Sequence, residues 1–555
     1  MTSRSEDDAA RRERNSRLTG RRAAPSLTIA LVAIVALTSV ALTSAALTVV
    51  TAAAQSARTT PPAELDAWVA RAMQTFEVPG LALAIVKDDA VVVAKGYGVR
   101  KLGEPAPVDA RTLFGIASNT KVFTATALGL LVEEGQIEWD APVVRYLPAF
   151  AMWDPFVTRE ITVRDLLVHR SGLGLGAGDL LWWPPSTYTR KDVAARLRFI
   201  PPATSFRAAY AYDNVLYLVA GEVIEAISGQ SWEDFVSQRI LARVGMSGSN
   251  VRHSAAAGRG NIAATHAPVD GRVRPIAPFE SDNTNPAGGI NSSAEDMAKW
   301  MRVQLSGGVL ADGSRLFSAA TARQLTTLVT PIPTGDPPPE LSQLRTNFNG
   351  YALGLGVRDY RGKKLLMHTG GLPGYVSRVV MIPEIGLGVT VLTNQESGEA
   401  FDSVAYRIID HYLGVPAFDW IDGFKKVHDR LAANVQATER AAGVRDASSK
   451  PSLPLAKYAG TYRDAWYGDV SIAQENGKLV MRFSHTPSLA GDLEHWQHDT
   501  FVARWRDREL RADAYVAFAL KPDGSVDTVK MSAVSPQTDF SFDFQDLLLI
   551  PVQQP

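Results

Sequence analysis

Leu81 to Val99 reads "LALAIVKDDAVVVAKGYGV", two apolar runs joined by Asp88-Asp89. Apolar and β-branched residues on either side of a short acidic turn predict a β-hairpin. Downstream, residues 119 to 134 read as a helix, with Val122, Ala125, Thr126 and Gly129 facing inward and Glu133-Glu134-Gly135 ending it. The middle of the chain, to about residue 300, alternates helical patterns with Gly/Pro-rich loops. After it come "YALGLGVRDY" (351–360), "KLLMHTGG" (364–371), "YVSRVVMIP" (375–383) and "GLGVTVLTN" (386–394), then a helical pattern from Phe401 to Leu413. These four runs, separated by turn signals, predict consecutive antiparallel strands. Strands at both ends with helices between imply a single sheet completed by the N- and C-terminal segments, an α+β domain over residues 58–420. Residues 421–453 are charged, Ala-rich and weakly patterned, which predicts a linker. From Tyr458 on, strand-like runs such as "TYRDAWYGDVSIAQENGKLVMRFS" and "AYVAFALKPDGSVDTVKMSAV" predict an all-β barrel or sandwich over residues 454–555.

Composition narrows the function. The 555 residues are 46% hydrophobic and 21% charged, ordinary values for a chain with a substantial core. The 57 Lys and Arg nearly cancel the 58 Asp and Glu, so nucleic acid is not expected as a partner. There is no cysteine, which excludes disulfides, thiolate zinc sites and a cysteine nucleophile. The histidines His253, His266, His485, His495 and His498 lack metal-ligand spacing, and no metal or other cofactor is expected. Near the start, Arg11, Arg12, Arg14, Arg17, Arg21 and Arg22 precede an uncharged stretch from Ala23 to Ala57 that ends in Ala52-Ala53-Ala54. A basic region, an apolar core and small residues at its exit are the parts of a secretory signal, so residues 1–57 predict export. The apolar run also exceeds the ~20 residues that span a bilayer, and retention as an inner-membrane anchor through residues 23–54 is the alternative.

Ser118-Asn119-Thr120-Lys121 is the only S-x-x-K in the chain. Residues three apart on a helix share a face, which puts the Lys121 amine over the Ser118 hydroxyl. A helix N-terminus favours developing negative charge. A serine hydroxyl needs an adjacent base, and a lysine serves when burial lowers its pKa. Tyr212-Asp213-Asn214 supplies a Y-x-N just before the apolar helix "VLYLVAGEVIEAI", and His368-Thr369-Gly370-Gly371 ends a predicted strand. Each signal alone also fits a helix entry or a strand exit. In this order, on these elements, they form the S-x-x-K, Y-x-N, K/H-T-G series of serine β-lactamases and penicillin-binding proteins.

With "FGIASNTKVFTATAL", "VRDLLVHRSGL", "PAGGINSSAEDMAKW" and "HTGGLPGYVSRVVMIPE", residues 62–413 resemble the serine β-lactamase-related family, on the side of class C β-lactamases, D-aminopeptidases and β-lactamase-like esterases. "YAGTYRDAWYGDV" and "GDLEHWQHDTFVARW" resemble the lipocalin-like barrel appended to some of these enzymes. The resemblance implies an antiparallel sheet flanked by helices, a helical subdomain, and an active site between them. It implies Ser118 as acylated nucleophile, and Lys121 as its proton acceptor or as the cation lowering the Tyr212 pKa. It implies Tyr212 as proton relay, Asn214 as partner of Lys121 and of the substrate, and the backbone N–H groups of Ser118 and Gly371 as oxyanion hole. His368, Thr369 and Gly370 are the substrate-binding candidates.

A small molecule or short peptide is the expected partner: a small ester, a D-amino-acid peptide or a β-lactam. His368 stands where penicillin-binding proteins carry lysine, and a mostly neutral imidazole disfavours carboxylate-bearing β-lactams at pH 7. Protonation below an ordinary pKa of ~6.5 is expected to restore a cation there. The alternative function is a membrane-anchored sensor that acylates without turnover. His169 is read as a loop histidine tying down backbone. Trp182-Trp183 is read either as lining the cleft or as covering the helical subdomain.

Overall fold

The computed structural model describes residues 60–256, 258–442, 445–446 and 448–552, and the expected export segment, residues 1–57, lies outside them. Strands β1 (Gly80–Lys87) and β2 (Ala90–Gly98) form the expected hairpin. Asp88 and Asp89 turn it with φ of 49° and 65°, the left-handed pair a tight two-residue turn demands. Six further strands join them: β3 (Thr330–Pro331), β4 (Asn349–Tyr351), β5 (Gly356–Tyr360), β6 (Lys363–Leu372), β7 (Tyr375–Ile382) and β8 (Leu387–Thr393). The order is β2-β1-β8-β7-β6-β5-β4-β3, antiparallel throughout, so β1 from one end of the domain pairs with β8 from the other.

The helices that frame the site are α1 (Leu65–Thr75), α2 (Lys121–Glu133), α3 (Val215–Ser228), α4 (Ala294–Leu305), α5 (Gly398–Leu413) and α6 (Trp420–Ala442). Because side chains alternate along a strand, β1 feeds two cores. Ala82, Ala84 and Val86 join the core shared with α2, α3 and α4; Leu81, Leu83 and Ile85 join the one shared with α1, α5 and α6. The alanine face lets α4 sit close. A Cβ at Gly388 of β8 would come within 3.1 Å of the Met301 sulfur.

Two expectations change here. From Lys121 to Leu131 every residue of α2 is buried, so the helix has no solvent side opposite Val122, Ala125, Thr126 and Gly129. It runs through the domain with α3 packed beside it. Within the linker expected at 421–453, residues 421–442 continue α6, so that part is helical. Trp420, Ile421 and Phe424 anchor its first turns in the core, and the Trp420 indole N–H donates to Asp410 Oδ2 at 2.8 Å. A long polar remainder had masked that short apolar face.

The C-terminal strands are β9 (Gly460–Asp464), β10 (Gly468–Glu475), β11 (Lys478–Phe483), β12 (Ala490–Gln497), β13 (Thr500–Trp505), β14 (Ala514–Leu520), β15 (Val526–Ala533) and β16 (Ile550–Pro551). They form a meander in which β16 returns to β9. Leu549 and Val529 exchange backbone hydrogen bonds of 2.9 and 3.1 Å, which nearly closes the barrel. The barrel is docked firmly on the hydrolase domain. Arg511 binds Glu396 through two bonds of 2.7 Å, Arg196 donates to the Trp466 carbonyl at 2.7 Å, and Arg274 pairs with Glu509 at 2.8 Å. Between β15 and β16 the chain leaves the barrel wall and passes over the cleft of the larger domain.

Candidate active site

Ser118 sits in a 3-10 turn, Ala117–Thr120, that runs directly into α2. Ala117 has φ of 48°, a conformation costly for a residue with a side chain. Surrounding bonds hold it: Asn119 Nδ2 donates to Ser377 Oγ at 2.8 Å, Ser377 Oγ to the Ile116 carbonyl at 2.8 Å, and the Ile290 N–H to Thr120 Oγ1 at 3.2 Å. The turn leaves Ser118 half-buried at the floor of a cavity of about 550 Å³.

One turn into the helix, Lys121 is fully buried. Its Nζ lies 2.9 Å from Ser118 Oγ, 2.8 Å from Asn214 Oδ1 and 3.0 Å from the Ala287 carbonyl. Burial pulls its pKa down to about 7, against the opposing pull of Asp179 and Asp213. A neutral amine has two N–H donors and one lone pair. Asn214 Oδ1 and the Ala287 carbonyl can only accept, so they take the donors. The lone pair is left for the Ser118 hydroxyl.

Tyr212 stands beside Ser118, and the Lys121 amine lies 4.9 Å from the centre of the Tyr212 ring. Burial holds the Tyr212 phenol well above its ordinary pKa, with the Ser118 hydroxyl opposing the rise, so at rest it carries its proton. His169 packs under that ring at 4.3 Å, and its Nδ1 accepts the Asp213 N–H at 3.2 Å. Desolvation keeps it neutral. Its place is to tie the Tyr212-Asp213-Asn214 loop down, as the sequence suggested.

Behind Lys121 runs a chain that the sequence did not reveal. Asn214 Nδ2 donates to Asp179 Oδ2 at 2.9 Å, and the same oxygen accepts from Ser541 Oγ, also at 2.9 Å. Trp182 Nε1 donates to Asp179 Oδ1 at 2.9 Å. Burial raises Asp179 to about 7, with the three donors opposing it, and raises Asp213 to about 7 as well. Ser541 comes from the barrel, on the segment between β15 and β16. Its neighbour Asp543 accepts the N–H groups of Gly178 at 2.6 Å and Leu180 at 3.1 Å. Phe540 stands edge-on to Tyr212, with ring centres 6.3 Å apart. The glycine run at 172–178 makes room for this segment, because a Cβ at Gly176 would lie 2.7 Å from the Phe540 ring. An acidic residue after a glycine run and before two tryptophans was the available signal for Asp179; nothing local marks Ser541. Trp183 lines the cleft while packing on Phe279 at 5.1 Å. Of the two readings, the structure supports the first, since Trp182 also lines the cleft.

The opposite wall is the end of β6. Strand β5 pairs with β6 only from Lys363 to Met367, so His368 to Leu372 are paired on the β7 side alone. Leu372 and Tyr375 flank the two-residue turn to β7 and form a hydrogen-bonded pair, which directs the Gly371 N–H away from β7 and toward the cleft. Thr369 and Gly371 are exposed to the cleft, whereas His368 and Gly370 are buried. Gly370 is a spacing residue as much as a lining one. A Cβ there would lie 2.2 Å from the Ile116 carbonyl oxygen and 2.5 Å from Ser377 Oγ.

His368 corrects an expectation. Its Nδ1 lies 2.5 Å from the Thr369 carbonyl and its Nε2 2.7 Å from the Tyr351 hydroxyl. A carbonyl only accepts, so Nδ1 carries the proton and Nε2 accepts from Tyr351. Burial, reinforced by the Lys121 charge, drives the pKa to about 3. The ring stays neutral through the whole working range of pH, and mild acid does not turn it into a carboxylate anchor.

An α+β fold with helices on both faces of its sheet and this Ser–Lys–Tyr–Asn arrangement defines a serine hydrolase of the β-lactamase type. The family model described as beta-lactamase matches residues 65–413, and the chain belongs to that family. A second model, described as a domain of unknown function (DUF3471), matches residues 444–550. Among curated proteins, an unguisins hydrolase of Aspergillus violaceofuscus is 29% identical over 493 residues, covering 82% of this chain and 85% of that protein. Penicillin-binding protein 4 of Amycolatopsis lactamdurans is 29% identical over 342 residues, 60% of this chain and 84% of that one. The octameric penicillin-binding protein homologue from Pyrococcus abyssi superposes with a TM-score of 0.55 at 23% identity, over 88% of this chain and 99% of the other. The D-amino acid amidase from Ochrobactrum anthropi SV3 gives 0.51 at 23%, over 63% and 98%.

Proposed function

We propose that this protein is an exported serine hydrolase that opens an ester or amide bond through an acyl-enzyme on Ser118. One observation carries the reading: a lysine amine withdrawn from water, with a pKa of about 7, stands 2.9 Å from a half-buried serine hydroxyl. As Ser118 Oγ attacks the carbonyl carbon, its proton passes to the Lys121 lone pair. The backbone N–H groups of Ser118 and Gly371 receive the oxyanion, each such donor being worth about 3–4 kcal/mol in the transition state. Tyr212, still protonated, hands its proton to the leaving nitrogen or oxygen and is reprotonated from Lys121. Water then enters on the reverse path and frees the acid. Asn214 keeps the amine aimed at Ser118.

The neutral His368 favours substrates without a carboxylate over anionic β-lactams. Tyr212 beside Ser118 supports turnover over a sensor arrested at the acyl stage, as does a relative named as a hydrolase that matches over 82% of this chain. Export rests on the arginine-led apolar segment at residues 11–57. The test is intact-protein mass spectrometry during turnover of p-nitrophenyl acetate. The full-length protein gains an acetyl mass on Ser118 and releases nitrophenol, and Ser118→Ala does neither. Undiminished turnover by Ser118→Ala overturns the mechanism.

A further inference from the structure

Beside the catalytic cleft lies a second cavity of about 590 Å³, and Trp183, Gly371, Leu372, Val376, Glu396 and Asp539 line both. Each cavity is the size of an ordinary ligand pocket, ~300–1,000 Å³. We propose that the second chamber is a binding site for an apolar, carboxylate-free stretch of the substrate, remote from the bond that is cut. The preferred substrate is then an extended amide or ester of several residues. This deepens the serine-hydrolase reading and rests on it for which bond is cut.

Two properties of the walls carry the inference. The first is apolar surface contributed by both domains. Pro184, Ile276 and Phe279 come from the hydrolase side, and Leu510 and Phe542 from the barrel. The barrel thus supplies walls of a substrate-sized space that opens beside Ser118.

The second is charge. Glu396, Asp507, Glu509 and Asp539 face this chamber against one guanidinium, Arg511. Both outer nitrogens of Arg511 are already bound to Glu396 at 2.7 Å. Glu509 is likewise paired, with Arg274 at 2.8 Å, and burial raises the Asp539 pKa, so Asp507 is the carboxylate left without an ion pair. Among the described residues the lining offers no unpaired cation, and a carboxylate entering the chamber meets repulsion from Asp507. The unpaired edge of β6 from His368 to Leu372 leads toward it, a rail along which an extended backbone can lie between the two cavities.

Direct binding separates this proposal from the catalytic one. The full-length Ser118→Ala protein is titrated with a fluorescent leucine-rich hexapeptide amide, its free-acid form and the matching dipeptide amide, read by anisotropy. The hexapeptide amide is expected to bind ~10-fold or more tightly than the dipeptide, the gain from burying one large apolar side chain. The free acid is expected to bind several-fold more weakly than the amide. Leu510→Asp on the half-buried barrel wall should erase the hexapeptide advantage. Asp507→Asn, an exposed change that keeps the hydrogen-bonding shape, should strengthen free-acid binding by ~3-fold, a gain that misfolding cannot imitate. Equal affinity for hexapeptide and dipeptide, or an amide-to-acid ratio unmoved by Asp507→Asn, overturns the chamber. Neither result depends on whether Ser118 is acylated, which the mass measurement above decides separately.

Discussion

The floor and the roof of the cleft are built in opposite ways. The floor is a web of bonds among residues of one domain: Ser118, Lys121, Asn214 and the Ala287 carbonyl meet within 3.0 Å, and the turn beneath them is pinned by Asn119, Ser377 and Thr120. The roof arrives from another domain and reaches that web through one hydroxyl, Ser541, and one ring, Phe540. Such an arrangement separates the work. Reactivity resides in the floor, where a displacement of a few tenths of an ångström matters. Selection resides in the roof, which can vary without touching the nucleophile.

Ser118→Ala is the severest test of that division, since it removes the floor's reacting atom. Turnover of every substrate should fall by roughly 10⁴ or more, with the thermal midpoint little changed. Lys121→Met and Tyr212→Phe should each cost about 10²–10⁴. Their double variant should lose far less than the product of the two, since they share one proton. Tyr212→Phe should also accumulate acyl-enzyme, visible as a mass shift. Equal losses at both steps, with additive costs, would break the floor into independent parts.

A smaller effect sharpens the boundary between floor and roof. Lys121 acts as base only when neutral, so kcat/KM for an uncharged ester should rise as pH climbs through about 7. Asp179 opposes the lowering of that pKa. Asp179→Asn removes the negative charge, the Lys121 pKa falls further, and the acid limb should move to lower pH. Ser541→Ala should move it the same way but less. Without its hydroxyl donor Asp179 holds its proton more readily and opposes less; rates at pH 8 should change only a few-fold. If Ser541→Ala moves the limb as far as Asp179→Asn, the roof is part of the base and the division fails. The smallest effect is none at all: the ratio of kcat/KM for carboxylate-bearing over neutral substrates, after correction for substrate ionisation, should stay flat from pH 8 to 5 where His368 is concerned, because the ring does not charge there.

Much of the floor was legible in the sequence because it is written locally. The hairpin at 81–99, the strands from 356 to 394 and the S-x-x-K at the head of a helix each depend on residues a few positions apart, although the run expected as one strand over 351–360 is broken at residues 352–355. The roof was not. Ser541 and Asp179 are 362 residues apart in the chain and meet only once the barrel is docked. The same limit applies to His368. Its place in an H-T-G motif was plain, but its charge depends on burial and on the Lys121 charge, which meet it only in the folded chain. Helix α6 escaped for a different reason, since an anchor of three apolar residues is diluted by the polar turns that follow.

Gly370 bears on how such an enzyme could acquire new substrates. With the Ile116 oxygen 2.2 Å and Ser377 Oγ 2.5 Å from where its first side-chain carbon would stand, even alanine would force β6 away from the turn that carries Ser118. The separation between nucleophile and oxyanion donor is thus gauged by a single missing methyl group. That position offers natural variation or laboratory evolution almost no room, and diversity is channelled instead to loops that touch the cleft from outside the sheet. A library aimed at residues 507–511 and 537–542 would sample new specificities while leaving this gauge untouched. One spread along β6 would mostly sample inactive proteins.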